Sequence, residues 1–354
     1  MQALSLFSNV GFGEFYFKNL GIDVVFANEI ISERCALYSK FHPKTRCIHG
    51  DISHLKWRDL IIKSCLTYHE PIDLVVATPP CQGMSGANAL KKPDDIRNKL
   101  IVYALEVFNT IGAKYMLIEN VPNMPHTFIN YEGSVVQISD FVKQNLRKDF
   151  NASFSVLDAK NFGTAQSRKR SICLISKDGK WQHPKPLQSL LTLQDAISHL
   201  PSLKNGEHSS IPWHFAPNHN KNHVKWMSAT PEGETAFNNI KDYPQKDGRR
   251  IKGFMTTYKR MHWNKPAPTV TMTNGSISSQ NNVHPQDPRV LSIRELLCVC
   301  GLPEDCLDKF AHLQPDGSYQ YDYKPNFIRK VIGEIFLPKM SYSILNTLPR
   351  NSFS

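Results

Sequence analysis

The segment Ile72-Asp73-Leu74-Val75-Val76-Ala77-Thr78-Pro79-Pro80-Cys81-Gln82-Gly83 decides how the chain is to be read. A mostly apolar run of strand length leads into two prolines, which fix the backbone just before Cys81. Further short apolar runs lie at Ala3–Phe7, Val24–Ala27, Tyr115–Ile118, Phe154–Leu157 and Ser171–Ile175, with a weaker one at Arg46–Ile48. Helical patterns separate them. The clearest spans Ile96 to Ile111, where Ile96, Leu100, Tyr103, Ala104, Val107, Phe108 and Ile111 share one face. Strands alternating with helices imply an α/β fold, a doubly wound, mostly parallel sheet that binds ligands at the carboxyl ends of its strands.

Beyond about Lys177 the character changes. Pro184, Pro186, Pro201, Pro212, Pro217, Pro231 and Pro244 arrive among many His and Asn residues with little periodicity, which predicts a smaller, irregular second domain. From Lys241 to Lys265 it carries Lys241, Lys246, Arg249, Arg250, Lys252, Lys259, Arg260 and Lys265 against Asp242 and Asp247, with Tyr243, Phe254, Tyr258 and Trp263 interleaved. Such a segment suits a nucleic-acid surface and, taken alone, a solvated loop equally well. A helix is expected at Ile293–Cys300, and the sequence from Pro325 to Leu348 turns apolar again.

The 354-residue chain has a formal net charge of +11. That excess modestly favours a polyanionic partner. No apolar run is long enough to span a bilayer, and Met1-Gln2-Ala3-Leu4-Ser5-Leu6-Phe7 lacks the basic start of a signal peptide. The expectation is a cytoplasmic protein without a membrane partner. The 8 cysteines include no Cys-x-x-Cys pair, which speaks against a zinc ribbon, and Cys298, Cys300 and Cys306 read as core packing.

The strand ends carry the chemistry. The first leads into Ser8-Asn9-Val10-Gly11-Phe12-Gly13, a turn where glycine lets a cofactor approach the backbone. The second ends at Asn28-Glu29, whose carboxylate can accept from ribose hydroxyls. Asp51 follows the third and can accept from an adenine amino group. Each acid alone reads as a surface carboxylate or helix cap; three successive strand ends together favour an adenosine site without saying which adenosine cofactor. Cys81 after Pro79-Pro80 is a candidate nucleophile, although a lone cysteine is by default structural. Glu119, in Glu119-Asn120-Val121-Pro122, is a candidate acid, since burial can raise a carboxyl group's proton affinity. Gln166-Ser167-Arg168-Lys169-Arg170 offers cations for a phosphate or a base carbonyl, or a solvated turn.

Taken in order, Phe7…Gly11, Glu29, Asp51, Pro80-Cys81-Gln82, Glu119-Asn120-Val121 and Gln166-Ser167-Arg168-Lys169-Arg170 resemble the cytosine-C5 DNA methyltransferase family. So do Trp263-Asn264-Lys265-Pro266-Ala267-Pro268-Thr269-Val270, Arg289-Val290-Leu291-Ser292-Ile293-Arg294-Glu295 with Gly301-Leu302-Pro303, and Val331-Ile332-Gly333-Glu334-Ile335. The blocks span nearly the whole chain. Departures are Asn9 and Phe12 where the family commonly has glycine, Ala165 for a frequent proline, and Glu334 for a usual asparagine.

The resemblance implies a Rossmann-like methyltransferase domain over residues 1–177, completed by 325–354, a target recognition domain over 178–288 and a hinge over 289–324. It implies S-adenosylmethionine as cofactor, held by Phe7, Ser8, Asn9, Val10, Gly11, Glu29, Ile30, Asp51, Ile52, Pro80, Leu100, Glu334 and Ile335, with Phe7 and Ile30 sandwiching the adenine. Cys81 would add to C6 of a flipped cytosine, Glu119 would engage N3, and Arg170 would hold O2 with Arg168 close by. Gln82 and Ser85 would support the flipped nucleotide, and Arg249, Arg250, Lys259 and Arg260 would contact duplex DNA. No metal is required. A monomer is expected, and a chain of this size resembles bacterial modification enzymes, which have a cognate restriction endonuclease as a companion. The rival readings are a tRNA cytosine-C5 methyltransferase, a non-catalytic DNA-binding protein on the same frame, and a nicotinamide-dependent oxidoreductase. The last lacks the full glycine fingerprint and leaves Pro80-Cys81 unexplained.

Overall fold

The computed structural model describes residues 1–80 and 97–349. Two of the expected site residues beside Cys81, namely Gln82 and Ser85, lie outside the described residues, as do Cys81 itself and Ile96.

The first half builds a seven-stranded sheet. Its strands in chain order are β1 (Gln2–Leu6), β2 (Asp23–Glu29), β3 (Arg46–His49), β4 (Ile72–Ala77) and β5 (Tyr115–Asn120), then a separate hairpin of β6 (Phe128–Tyr131) and β7 (Ser134–Gln137), then β8 (Phe150–Asp158) and β9 (Lys169–Lys177). The spatial order is β3-β2-β1-β4-β5-β9-β8. Pairs among the first five strands are parallel, and β9 runs antiparallel to both β5 and β8. Helices α1 (Ser32–Phe41), α2 (Leu55–Leu66), α3 (Leu100–Ile111) and α4 (Ile138–Gln144) alternate with the strands. The expected doubly wound α/β fold is present. The chain leaves β1 toward β2 and β3, then returns to place β4 on the other side of β1. Sheet order therefore reverses between β1 and β4, the point at which open α/β sheets bind ligands.

Burial explains why these runs become central strands. Every residue of β4 is buried, and Leu4, Leu6, Val75, Ala77, Met116 and Ile118 pack with Ile101, Ala104, Leu105 and Phe108 of α3 into one core. The α3 residues recur at the helical spacing read from the sequence. Gly112 in the left-handed conformation, φ 75°, ends the helix.

The chain divides into two compact units. The first comprises Met1–Asp158, Lys169–Pro186 and Pro338–Ser354, and the second Ala159–Arg168 with Leu187–Leu337. These are divisions of packing; the catalytic, recognition and hinge roles expected over 1–177, 178–288, 289–324 and 325–354 are functional assignments, taken up below as proposals.

The second unit contains little regular structure. Its helices are α5 (Leu193–Ile197), α6 (Lys221–Ser228), α7 (Ile293–Val299) and α8 (Pro325–Gly333), and its strands are the short β10 (Gln245–Lys246), β11 (Arg249–Arg250), β12 (Ala311–Leu313) and β13 (Tyr319–Tyr321). What replaces a large sheet is a buried polar core. Arg289, 0% exposed, forms a bidentate pair with Glu295 at 2.7 and 2.8 Å and also meets Asp287. Glu295 closes a capping box with Ser292 at the start of α7. Burial by itself would raise the Glu295 carboxyl, but the hydrogen bonds and charge of Arg289 hold it at about 2. Thus the block Arg289–Glu295 has a packing role in this unit. Helix α9 (Pro338–Leu345) belongs to the first unit. Among the described residues, no helix is long and apolar enough to cross a membrane.

Candidate active site

Three neighbouring strands, β1, β2 and β3, end at one edge of the first unit, and each contributes a polar group there. After β1 the backbone turns sharply, with Phe7 at φ 59°, Asn9 at φ 52° and Gly11 at φ 76°. A left-handed conformation is costly for a bulky aromatic residue, so the surroundings must impose it. They do: Thr78 Oγ1 donates to the Phe7 carbonyl at 3.0 Å, and Ser8 N–H donates to Asn28 O at 3.0 Å. Gly11 must be glycine, because a Cβ would collide with the His42 and Tyr38 rings. His42 Nε2 lies 3.0 Å from Gly11 O.

At the end of β2, Glu29 is 4% exposed. Its two carboxylate oxygens accept from the backbone N–H groups of Asn9 and Ile31, each at 2.9 Å, which fixes the carboxylate against the turn. Asn28 Nδ2 donates to Ile48 O and Gly50 O, tying β2 to the exit of β3. Asp51 follows, half-buried, with Oδ1 accepting from Ser53 N–H at 2.9 Å. Two carboxylates and a glycine turn thus stand on adjacent strands about 4.8 Å apart. This acceptor set fits the hydroxyl and amino donors of an adenosine. Ile30 is 56% exposed, as a cover for a flat ring would be, whereas Ile52 is 2% exposed and packs in the core. Leu100 opens α3 and packs against the same core.

The second group gathers at the ends of β4 and β5. Asn120, 1% exposed, donates from Nδ2 to Pro79 O at 2.9 Å and accepts from Val121 N–H at 2.8 Å. Thr78 N–H donates to Leu6 O. The segment leading to Cys81 is therefore clamped from both sides, by β1 and by β5. Pro79 is buried and Pro80 exposed. Glu119 is 7% exposed, and its Oε1 lies 2.8 Å from Arg170 Nε. Arg170 arrives on β9, whose antiparallel register sets Ser171 opposite Asn120. A carboxylate and a guanidinium thus sit paired beside the strand end that leads to a cysteine.

Every described cysteine has its thiol pushed up by burial: Cys65, Cys298 and Cys300 to about 12, and Cys35, Cys47, Cys173 and Cys306 likewise upward. None of them is a poised thiolate.

Two arginines of the expected set are buried in this structure. Arg168, expected beside the base, is 4% exposed in the second unit, where its guanidinium donates to Val270 O at 2.8 Å and Gly333 O at 3.0 Å. Arg260, expected on DNA, is also 4% exposed and donates to the carbonyls of Met227, Thr230, His284 and Asp287. Both satisfy buried carbonyl groups, as a five-donor guanidinium can. Arg249 is exposed on β11, Arg250 is exposed but donates to Phe237 O and Asn239 O, and Lys259 is half-buried. Glu334 caps α8 and Ile335 is buried behind it, both in the second unit. The residue that sequence reasoning left without a role is Asn120, visible only as the middle of Glu119-Asn120-Val121.

Comparison with known proteins identifies the family. The model of the C-5 cytosine-specific DNA methylase family matches residues 1–350. The chain is 35% identical over 359 residues to the type II methyltransferase M1.HgaI of Avibacterium volantium, covering 97% of each chain. It is 29% identical to the type II methyltransferase M1.HphI of Haemophilus parahaemolyticus, over 85% of this chain and 77% of that one. Among solved structures, a protein described as a DNA modification methyltransferase encoded within a prophage (E. coli) superposes with a TM-score of 0.71 at 21% identity, covering 98% of both chains. A Spodoptera frugiperda DNMT2 mutant superposes with a TM-score of 0.62 at 14% identity, again over 98% of each. These two likenesses concern the fold. Ordered motifs, sheet topology and the full-length match together make this chain a member of the C-5 cytosine-specific DNA methylase family, an S-adenosylmethionine-dependent DNA cytosine methyltransferase.

Proposed function

We propose that the protein methylates C5 of a cytosine flipped out of a specific duplex DNA sequence, as the modification member of a restriction-modification system, through a covalent adduct at Cys81. The observation that carries this reading is the clamp at the ends of β4 and β5. Asn120 holds Pro79 O at 2.9 Å, and next to it Glu119 and Arg170 are paired at 2.8 Å. Bound at β1, β2 and β3, S-adenosylmethionine would supply the electrophilic methyl group. Glu29 and the Phe7–Gly11 turn would hold its ribose and amino-acid side, and Asp51 its adenine amino group, with Phe7 and Ile30 on the ring faces and Pro80 nearby.

Cytosine C5 is a weak nucleophile and must be activated. The Cys81 sulfur adds to C6, and electron density moves toward N3 and O2. Glu119, taking up a proton as its ion pair with Arg170 opens, donates to N3, and Arg170 turns to hold O2, so the charge that develops on the ring is met by an acid and a cation. C5 then takes the methyl group, a base removes the C5 proton, and the C5–C6 double bond re-forms as Cys81 leaves. The base must leave the duplex for this to happen, with Gln82 and Ser85 supporting it. Arg168 acts through position, holding the strap before β9. The second unit reads the DNA, with Arg249, Arg250 and Lys259 as contacts. A restriction endonuclease of the same specificity is the natural companion, and a monomer suffices for the chemistry.

Transfer of labelled methyl to unmethylated duplex DNA, and separately to tRNA, tests the reading with wild type and Cys81→Ala. Label in DNA that disappears in Cys81→Ala, while DNA binding persists, is expected. Retained turnover in that variant sinks the covalent scheme, and label confined to tRNA sinks the substrate assignment.

A further inference from the structure

Residues 240–255 form a closed excursion from the second unit. Its neck is zipped: Ala236 N–H donates to Tyr258 O at 2.9 Å, Arg260 N–H to Glu234 O at 3.0 Å, and Thr235 Oγ1 to Thr257 O at 2.9 Å. Beneath the neck lies a small core of Trp226, Met227, Ala236, Ile277, Val283 and Val290, with Tyr258 against it. The two arms are clasped further out. Arg250 donates to Phe237 O and Asn239 O and stacks 4.2 Å from the Tyr243 ring centre, and a Cβ at Gly253 would overlap the Phe237 ring. Between the arms, β10 and β11 are joined by Asp247 at φ 50° and Gly248 at φ 74°, a tight two-residue hairpin turn that leaves all four strand residues exposed.

Three large apolar side chains are exposed on this excursion, Met255 at 53% and two others far more so. Ile240 follows Asn239 and is 92% exposed; Phe254 follows Gly253 and is 78% exposed. On a clasped loop, apolar side chains this exposed suit insertion into a partner. The surroundings say which kind. The excursion carries Lys241, Lys246, Arg249, Arg250 and Lys252 against Asp242 and Asp247, and Asp242 is already paired with Lys225 at 2.9 Å. Apolar side chains on a segment rich in cations match a duplex, whose base stack is apolar and whose phosphates are anionic. A protein partner would need acidic groups around an apolar socket; DNA presents that combination at every base step.

We propose that Ile240 and Phe254 are wedge residues, which press into base steps of the substrate duplex and unstack them while Lys246, Arg249 and Lys252 hold the flanking phosphates. This inference rests on the reading of duplex DNA as substrate. The wedge makes sequence selection depend on how easily a step unstacks, in addition to hydrogen bonds at base edges.

The test uses the full chain, after the methylated site has been located by conversion sequencing of DNA treated with the wild type. That first step stands alone: a wild type that leaves duplex DNA unmethylated defeats the substrate reading, and the wedge with it. Duplexes carrying 2-aminopurine at successive positions around the site then report unstacking. Wild type should brighten one or two steps. Phe254→Ala and Ile240→Ala should lose that signal and lower kcat/KM by roughly tenfold or more, with a melting temperature and S-adenosylmethionine affinity like those of wild type. Their salt dependence of DNA binding should match wild type, whereas Lys252→Ala should lower that slope by about 1 and keep the fluorescence signal. An active wild type that brightens no step, or variants that keep both signal and kcat/KM, would overturn the wedge while leaving the methyltransferase reading intact.

Discussion

Replacing Asn120 by Ala would remove one side chain that touches neither proposed substrate atom, yet turnover should collapse. Asn120 is 1% exposed, and its Nδ2 is the donor that Pro79 O receives at 2.9 Å. Deleting it leaves a buried carbonyl short of a partner and also strips an acceptor from Val121 N–H, at a cost of about 1–3 kcal/mol in stability. Pro79 stands two residues before Cys81, so the larger effect is on the position of the sulfur. A drift of about 1 Å is worth on the order of 100-fold in rate. Single-turnover methyl transfer should therefore slow by roughly 10- to 100-fold. S-adenosylmethionine binding by calorimetry should be unchanged, because Glu29 and Asp51 are held by other bonds. Asn120→Asp keeps an acceptor for Val121 but turns an oxygen toward Pro79 O, and it should be as slow as the alanine variant. If the alanine variant melts lower than wild type but transfers methyl within twofold of its rate, Asn120 only packs the strand end, and the positioning argument is wrong.

Two further expectations follow from the same framework. Asp51→Ala should bind S-adenosylmethionine more weakly in calorimetry while the chain remains folded; unchanged affinity would refute its role at the adenine. Stability should also fall steadily on acidification. Burial holds His219 and His284 at about 4, below the roughly 6.5 of an unfolded histidine, so the unfolded chain takes up protons between those values that the folded chain does not. Glu295, held at about 2, extends the loss as pH falls from about 4.5 toward 2. The stabilisation is complete above pH 6.5, and a denaturant midpoint that stays flat from pH 7 to 4 would contradict it.

The strands β2 to β5 are legible because each is a short run that ends at or just before a chemically distinctive residue: Glu29, Asp51, Pro80 and Glu119. Parallel strands must be apolar to be buried, and their exits are where polar groups can stand. The β6–β7 hairpin was not read, since its turn is Glu132-Gly133, at φ 49° and 80°, rather than the Asn-Gly or Asp-Gly pair that announces such turns. The depth of Arg168 and Arg260 is not legible for another reason. A count of cations is blind to depth, and both arginines turn inward to carbonyls supplied by residues up to 165 positions away. Asn120 was quoted with its neighbours but had no role until Pro79 O came within reach, because only folding brings residues 41 apart together.

Ser341 on α9 donates to Gly13 O across 328 residues, and Trp181 Nε1 donates to Thr347 Oγ1. The first unit thus fastens the turn after β1 with a helix encoded after the whole second unit. On the ribosome, Gly13 emerges long before its fastener, and every intervening residue must be made first. A chain interrupted between 171 and 337 would carry the Glu119–Arg170 pair, Glu29 and Asp51, yet leave that turn without its Ser341 bond. Such a layout ties the turn after β1 to a segment made some 328 residues later, so the first unit cannot close its packing there until α9 has been synthesised.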